Sequence, residues 1–319
     1  MATRNVFAGP YLERASHLRA DAAWFDEALT DARSRVVPVW NTRSLIAPGS
    51  PEDAPRAALL ELTHLPPERR NSSHLILLGR FDQAPVFAYE VEDDDPAPPQ
   101  GTRFEELRSV AALMPADHAG LLGYARAMIG WRRTHRHCGR CGALTSPVKG
   151  GHVLLCTNPD CRQEQFPRLD PAIIVLVSDG GRVLLGRQAS WPPGRYSTIA
   201  GFVEPGESLE DAVAREVLEE TGVKVDEIEY HSSQPWPFPS SLMLGFSAHA
   251  LTAEVHLEDE ELEDARWFTR RDIESGVPGL PPPLSISYRL IEHWFDADSD
   301  RPLREVCRPA GWPGRAPER

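Results

Sequence analysis

The chain has 319 residues, with 34 Lys and Arg against 47 Asp and Glu, a formal charge of −13. That length suits about two domains, and 41% hydrophobic with 25% charged residues excludes a globally disordered chain. The acidic surplus argues against a charge-driven nucleic-acid binder, though not against a nucleotide enzyme that gathers carboxylates around divalent metals. Five cysteines in a chain this long do not make a disulfide scaffold.

Residues 1 to about 90 hold short apolar runs separated by Pro and Gly, such as Val36 to Trp40, His74 to Leu78 and Val86 to Tyr89. They read as strands of a β-rich domain. Val91 to Gly101 is acidic and Pro-rich, a loop or linker. Residues 104–133 read as helix with a break at Pro115. Ala172 to Val177 and Arg182 to Arg187 read as a hairpin around Asp179-Gly180-Gly181. Ser208 to Thr221 is a helix closed by Gly222, and Leu284 to Phe295 is another after three prolines. No internal repeat is visible. The expected division is a β-rich domain over 1–134 ending in a helix, a cysteine-bearing element over 135–167, a further domain over 168–300, whose limits follow from the resemblance given below, and a tail over 301–319. The start carries charges throughout without an apolar signal core, and Ala172 to Val177 is far shorter than the ~18–20 residues of a membrane span. The expectation is a cytoplasmic protein with no membrane partner.

Cys138 and Cys141 form a Cys-x-x-Cys-Gly knuckle, and Cys156 and Cys161 follow as a second close pair. Two such pairs converge on one structural Zn²⁺, with four thiolates leaving no open coordination position. His135 and His137 flank the cluster without being needed as ligands. Cys307 stands alone and reads as a packing residue. The run Trp131 to Arg136 is basic: a solvated helix end, or a contact for phosphate.

On the Ser208 to Thr221 helix, Leu209, Ala212, Val213 and Val217 form one apolar stripe at ~100° per residue. Glu216 and Glu220 fall within that stripe, and Glu219 on its flank. Like charges four apart repel, and the helix C-terminus disfavours anions. A bound Mg²⁺ or Mn²⁺ offsets both costs. Ser208 and Asp211 form a capping box. Gly201 and Pro205-Gly206 read as a tight loop. Arg215 is expected to point away from the two central acids and hold the loop through Glu207 or Glu204. Residues 204–229 carry ten acids and two bases, and residues 254–264 seven acids and no base. These two windows together hold a larger acidic surplus than the whole chain.

The string from Ser233 to Ser241 holds three prolines that favour an extended path. Trp236 and Phe238 offer flat faces, and Gln234 and Ser241 hydrogen bonds, to a nucleobase. The competing reading is a Pro-rich surface loop whose aromatics face the core.

Gly201-x5-Glu207-x7-Arg215-Glu216-Val217-x-Glu219-Glu220-x-Gly222-Val223 matches every defined position of the Nudix box. The region 168–300 resembles a Nudix hydrolase domain, which implies an α/β/α sandwich around a mixed sheet. The whole reads as an α+β chain in which that domain follows a zinc ribbon and a β-rich N-terminal domain. The Ser233–Ser241 string and the four-cysteine element resemble the NADH pyrophosphatase (NudC-type) family of Nudix enzymes. The resemblance implies metal-dependent hydrolysis of NAD(H) to AMP and nicotinamide mononucleotide, with removal of NAD caps from RNA as a related activity. It implies that the Ala200 carbonyl, Glu216, Glu220 and Glu261 bind catalytic Mg²⁺ or Mn²⁺, with Glu219 assisting and Glu260 as fallback for Glu261. It further implies that Gln234, Pro235, Trp236, Pro237, Phe238, Pro239, Ser240 and Ser241 line the nucleotide site. Arg108, Phe166, Phe202 and Ser287 join them, Phe202 stacking on nicotinamide. Phe166 stands where many members carry Tyr, Gly151 where some carry Glu, and the second cysteine pair has a four-residue spacer. Members are commonly homodimers. The alternatives weighed are a Nudix pyrophosphatase for ADP-ribose or dinucleoside polyphosphates, and a non-catalytic zinc-ribbon nucleotide sensor.

Overall fold

A computed structural model describes residues 4–50, 53–257 and 261–307. The chain divides into two units: Val6–Leu169 with Trp236–Ser240, and Asn5 with Asp170–Pro235 and the chain from Ser241 onward.

The first unit opens with helix α1 (Ala22–Thr30), whose Asp21 cap accepts from Trp24 N. A seven-stranded sheet follows, made of β1 (Arg35–Trp40), β2 (Arg43–Ala47), β3 (Arg56–Ala57), β4 (Leu60–Glu61), β5 (Leu75–Phe81), β6 (Ala84–Glu90) and β7 (Arg103–Glu105). Its path is β3-β2-β1-β6-β5, with β4 on β1 and β7 on β2; β1 and β6 run parallel. Phe25 and Ala28 of α1 pack with Val36, Leu75, Leu77 and Phe87 on one face. Helix α2 (Leu107–Val110) and helix α3 (Ala116–Thr134) replace the single expected helix, broken at Pro115 as the sequence suggests. Residues 103–105 are strand instead, because they pair with β2. A three-stranded ribbon completes the unit: β8 (Thr145–Val148), β9 (Val153–Cys156) and β10 (Glu164–Gln165).

The second unit is a mixed six-stranded sheet: β11 (Asp170–Ser178), β12 (Arg182–Arg187), β13 (Ile199–Phe202), β14 (Val225–Trp236), β15 (Ser241–Ala250) and β16 (Asp264–Thr269). Its helices are α4 (Leu209–Thr221), α5 (Arg270–Glu274), α6 (Ile286–Ala297) and α7 (Leu303–Val306). β11 lies at the centre, parallel to β15 and antiparallel to β12 and β13. Its unbroken apolar run follows from burial on both faces. Ile173, Val175 and Val177 pack with Ala212, Val213 and Val217 of α4. Ile174 and Leu176 pack on the opposite side with Ile286, Leu290 and Phe295 of α6. This is an α/β/α sandwich, each buried aliphatic contributing about 1.5–3 kcal/mol. Ser285 caps α6, which therefore starts two residues later than the sequence suggests.

The two sheets share one connectivity. In each, a first strand (β1, β11) forms a hairpin with the next (β2, β12). A later strand pairs antiparallel with the first (β4, β13), another runs parallel to it (β6, β15), and a last one returns to the second (β7, β16). A short and then a long helix follow in both: α2 and α3, α5 and α6. Where the second unit places α4, the first has only two short 3-10 turns, Leu62–His64 and Pro67–Arg69. The repeat invisible in the sequence is therefore present in topology, with its central helix missing from one copy.

The ribbon packs on its own unit through Gly151 and His152. Gly151 has φ +84°, and a Cβ there would meet Ile76 at 3.1 Å. His152 Nε2 lies 2.6 Å from the Leu77 carbonyl; a carbonyl only accepts, so Nε2 carries the proton. Burial lowers the His152 pKa from 6.5 to about 4. The unfolded chain thus binds a proton there at a higher pH than the folded one. The stability His152 contributes is complete above pH 6.5 and is lost as pH falls toward 4. Between pH 7.5 and 5 the loss is about 2 kcal/mol. Chemical denaturation of wild type and His152→Gln at the two pH values should show this loss in wild type alone; equal pH dependence would contradict it.

Candidate active site and metal centres

Four sulfur atoms converge in the ribbon. The Sγ atoms of Cys138, Cys141, Cys156 and Cys161 all lie within 4.8 Å of one another. Cys141 and Cys156 are 3.4 Å apart, Cys138 and Cys161 3.8 Å. Tetrahedral Zn–S bonds of about 2.3 Å require sulfur separations of about 3.8 Å, so the set fits zinc. The knuckle is made by Gly142 at φ +76°, whose N–H donates to the Cys138 carbonyl at 2.8 Å. The backbone N–H of Ala143 is the main cause that brings the Cys141 thiol down to about 7. Burial pushes Cys156 up to about 12, so a thiolate there needs a cation beside it. The four-residue spacer closes through Cys161 N and the Asn158 carbonyl, 3.0 Å apart. His135 turns its Nδ1 to the Trp131 carbonyl at 2.9 Å. Cys307 is buried with the α6 core cluster of the other unit.

On α4 the capping box is complete: Ser208 Oγ accepts from Asp211 N at 3.1 Å, and Asp211 Oδ2 from Ser208 N at 3.3 Å. Gly222 at φ +71° closes the helix. The box fixes the helical phase, and that phase buries Glu216 and Glu220, 9% and 5% exposed, among Ala212, Val213 and Val217. Glu219 is exposed on the flank. Burial holds the Glu216 carboxyl above its usual range; Arg215 opposes this, and Glu219 and Glu261 add to it. Glu216, Glu219 and Glu261 thus share one electrostatic neighbourhood. Partly desolvated oxygen donors of this kind suit a hard divalent cation.

Gly201 is not in a loop: it lies in β13, opposite Ile173. A Cβ at Gly201 would overlap the Glu216 carboxylate, so the glycine opens the space that this carboxylate fills. The turn is supplied by Gly206 at φ +99°. The neighbouring Ala200 is exposed on the same strand.

Arg215 departs from its expected orientation. Nε donates to Glu207 Oε1 at 2.5 Å, and Nη2 donates to Glu207 Oε2 and the Phe202 carbonyl, each at 3.0 Å. Nη1, however, lies 2.9 Å from both Glu216 and Glu219. The guanidinium therefore holds the loop and also touches one of the central acids, because its fork spans both. Glu207, not Glu204, is the loop partner, and its Oε2 also accepts from Glu204 N at 2.9 Å. The Arg215 hydrogen bonds, followed by that N–H, bring the Glu207 carboxyl down to about 2.

The expected substrate residues divide between the units. The second unit holds Phe202, Gln234, Pro235, Ser241 and Ser287 with the α4 acids and Glu261. Arg108, Phe166, Trp236, Pro237, Phe238, Pro239 and Ser240 belong to the first. Phe202 and Phe166 are each 61% exposed. Glu260 lies outside the described residues, with Glu258 and Asp259. The 233–241 string is not one loop: β14 runs to Trp236 and β15 begins at Ser241.

Two of these side chains are engaged internally. Gln234 is fully buried; Nε2 donates to the Leu284 carbonyl and Oε1 accepts from Ile286 N, each at 2.8 Å. The hydrogen bonds expected to face a base instead anchor the start of α6. Ser287 is likewise buried, its Oγ within 3.1 Å of Ser197 Oγ, Thr198 Oγ1 and Thr198 N. Trp236 and Phe238 stack edge to face, ring centres 5.1 Å apart. The Arg108 guanidinium lies 4.4 Å from the Phe238 ring centre and 5.3 Å from that of Trp236.

Three family descriptions match in tandem. A NADH pyrophosphatase-like rudimentary NUDIX domain matches residues 33–131, a NADH pyrophosphatase zinc ribbon domain 133–166, and a NUDIX domain 167–295. The NAD-capped RNA hydrolase NudC of Stutzerimonas stutzeri is 44% identical over 225 residues, covering 70% of this chain and 79% of that protein. The chain belongs to the NADH pyrophosphatase (NudC-type) family of Nudix hydrolases. The Pseudomonas aeruginosa NAD-capped RNA hydrolase NudC is 42% identical over 67% of this chain and 74% of its own. Human NAD-capped RNA hydrolase NUDT12 is also 42% identical, over 56% of this chain and 42% of its own length. A solved NUDIX hydrolase from Nitrosomonas europaea aligns at TM-score 0.43 and 21% identity, over 51% of this chain and 92% of that one. Residues 33–131 of the first unit thus match the rudimentary NUDIX domain, and the cysteine cluster lies in the family's zinc ribbon. No described helix is long and apolar enough to cross a membrane.

Two substitutions probe these centres. Cys138→Ser should lower bound zinc below one per chain and destabilise the ribbon, read by elemental analysis and thermal melting; a stable, zinc-loaded variant would contradict the ribbon assignment. Gly201→Ala displaces only the far end of Glu216, so the fold should persist while activating-metal affinity drops at least about tenfold. Unchanged metal activation would remove Gly201 from the site.

Proposed function

We propose that the chain hydrolyses the pyrophosphate bond of NAD(H), releasing AMP and nicotinamide mononucleotide, and that the same site removes NAD caps from RNA. The observation that carries this reading is the pair of buried carboxylates, Glu216 and Glu220, on a complete Nudix helix. It occurs in a chain 44% identical to a protein named NAD-capped RNA hydrolase. The Trp236–Phe238 wall narrows the substrate to one with a flat ring, since a stacked base contributes about 1–3 kcal/mol.

Glu216, Glu220, Glu261 and the Ala200 carbonyl would hold the divalent metal, Mg²⁺ or Mn²⁺, which would supply charge neutralisation for pyrophosphate oxygens and a more acidic water. Arg215 fixes the direction of Glu216 and Glu219 and ties both to the loop through Glu207. Glu219 and Glu261 are exposed, which leaves them able to orient the attacking water and accept its proton. Phe202, with its ring exposed beside the metal-binding carbonyl, stacks on nicotinamide. Phe166, Arg108 and the remaining 234–241 residues complete the nucleotide contacts, Gln234 and Ser287 by holding backbone in place. The domain limits 1–134, 135–167, 168–300 and 301–319, a homodimer and a cytoplasmic location belong to the same proposal.

Glu220→Gln should lower turnover more than about 100-fold while leaving the fold and zinc content intact. Product analysis with NADH, NAD⁺, NAD-capped RNA and ADP-ribose, in Mg²⁺ and in Mn²⁺, tests the substrate. AMP release with higher kcat/KM on an NAD substrate than on ADP-ribose is expected. A preference for ADP-ribose, or near-normal turnover by Glu220→Gln, overturns the reading.

A further inference from the structure

The short segment Trp236–Ser240 leaves the second unit and packs within the first. What receives it there is largely one face of α3. Gly120, Gly123 and Arg126 recur every three residues along that helix and so lie on neighbouring turns. A Cβ on Gly120 would collide with the Tyr11 ring. One on Gly123 would come within 3.0 Å of Phe7 Cδ1 and 3.4 Å of Pro237 Cγ. The missing side chain at Gly123 therefore lets Phe7 and Pro237 approach the helix. Phe7 in turn meets Phe238 edge to face at 5.9 Å.

Arg126 completes the seat. Its Nε donates to the Pro237 carbonyl at 2.7 Å, and its guanidinium lies 4.9 Å from the Phe238 ring centre. Its Nη1 donates to the Thr42 carbonyl at the β1–β2 turn. One planar group thus ties the aromatic segment to the helix, to a ring face and to the sheet of the rudimentary domain. Such a fork restrains orientation as well as distance, which a flexible ammonium does only in part. Pro237 offers no N–H, and the segment's own turn closes from Phe238 N to the Trp236 carbonyl at 2.8 Å; the Arg126 bond to the Pro237 carbonyl ties that turn to α3.

We propose that Arg126 is a positioning residue for substrate binding: seated by Gly123, it sets the angle of the Trp236–Phe238 wall. The rudimentary domain then acts on nucleotide affinity through α3 without entering the metal chemistry. This rests on the reading of Trp236 and Phe238 as a base-stacking wall.

The test is steady-state hydrolysis of NADH by the full-length, zinc-loaded protein. Arg126→Ala should raise KM about tenfold with kcat within about threefold, the range expected when base stacking is weakened. Arg126→Lys should recover part of that KM, because it restores charge and one donor to Pro237. Gly123→Val, which fills the space of Phe7 and Pro237, should raise KM in the same way. If Arg126→Ala does not fold, Arg126→Lys and Gly123→Val carry the same expectation. A folded Arg126→Ala or Gly123→Val with wild-type KM overturns the proposal. So does a loss of kcat that matches the rise in KM, which is what general loosening of the fold would give. Trp236→Ala and Phe238→Ala separate the two layers. If both keep wild-type KM, the wall reading itself falls; if they raise KM and Arg126→Ala does not, only the role of Arg126 falls.

Discussion

Glu216 and Glu220 lie on the face that α4 presses against the sheet, where a carboxylate is costly to bury. Much of the surrounding structure reads as a response to that cost. The capping box at Ser208 and Asp211 sets where the helix begins and hence which residues face inward. Gly201 gives up its side chain to make room for one carboxylate. Arg215 supplies one positive group between Glu207, Glu216 and Glu219. It leaves the Glu216 proton affinity raised, since burial outweighs it. Carboxylates held this way suit a hard divalent cation, the kind of ion the proposed reaction uses.

The helix was legible because its signals are local. A 3.6-residue period, a box three residues wide and a terminal glycine all lie within one short segment, and together they place the acids on the apolar stripe. The cysteine cluster was legible for a related reason: the spacing of two pairs constrains geometry without reference to the rest of the fold. What the sequence misassigned depended on partners distant along the chain. Gly201 reads as a turn until β13 is seen paired with β11. Gln234 reads as a ligand contact until Leu284 and Ile286 are found against its amide. Arg126 has no marker at all, being one polar position on an amphipathic helix whose significance comes from Pro237, 111 residues away.

The repeated connectivity of the two sheets shows how far topology outlasts sequence pattern. Strand pairing needs only alternating apolar residues, which many substitutions preserve. The one element absent from the first copy is the helix that bears the acids in the second. At that place short turns suffice to join β4 to β5. The first copy retains its long α3, and that helix holds Gly123 and Arg126.

The packing of Trp236–Ser240 also bears on where this chain can be divided. By strand order the natural cut lies before Asp170, and a fragment starting there would keep α4, the capping box and the sandwich whole. It would nevertheless carry two aromatic rings and two prolines, Pro237 and Pro239, with Phe7, Arg108 and Arg126 removed from around them. Covalent modularity and functional modularity therefore part company at five residues. Moving the second unit onto another partner would carry α4 and its acids intact, while Trp236–Ser240 would lose the α3 face on which it packs.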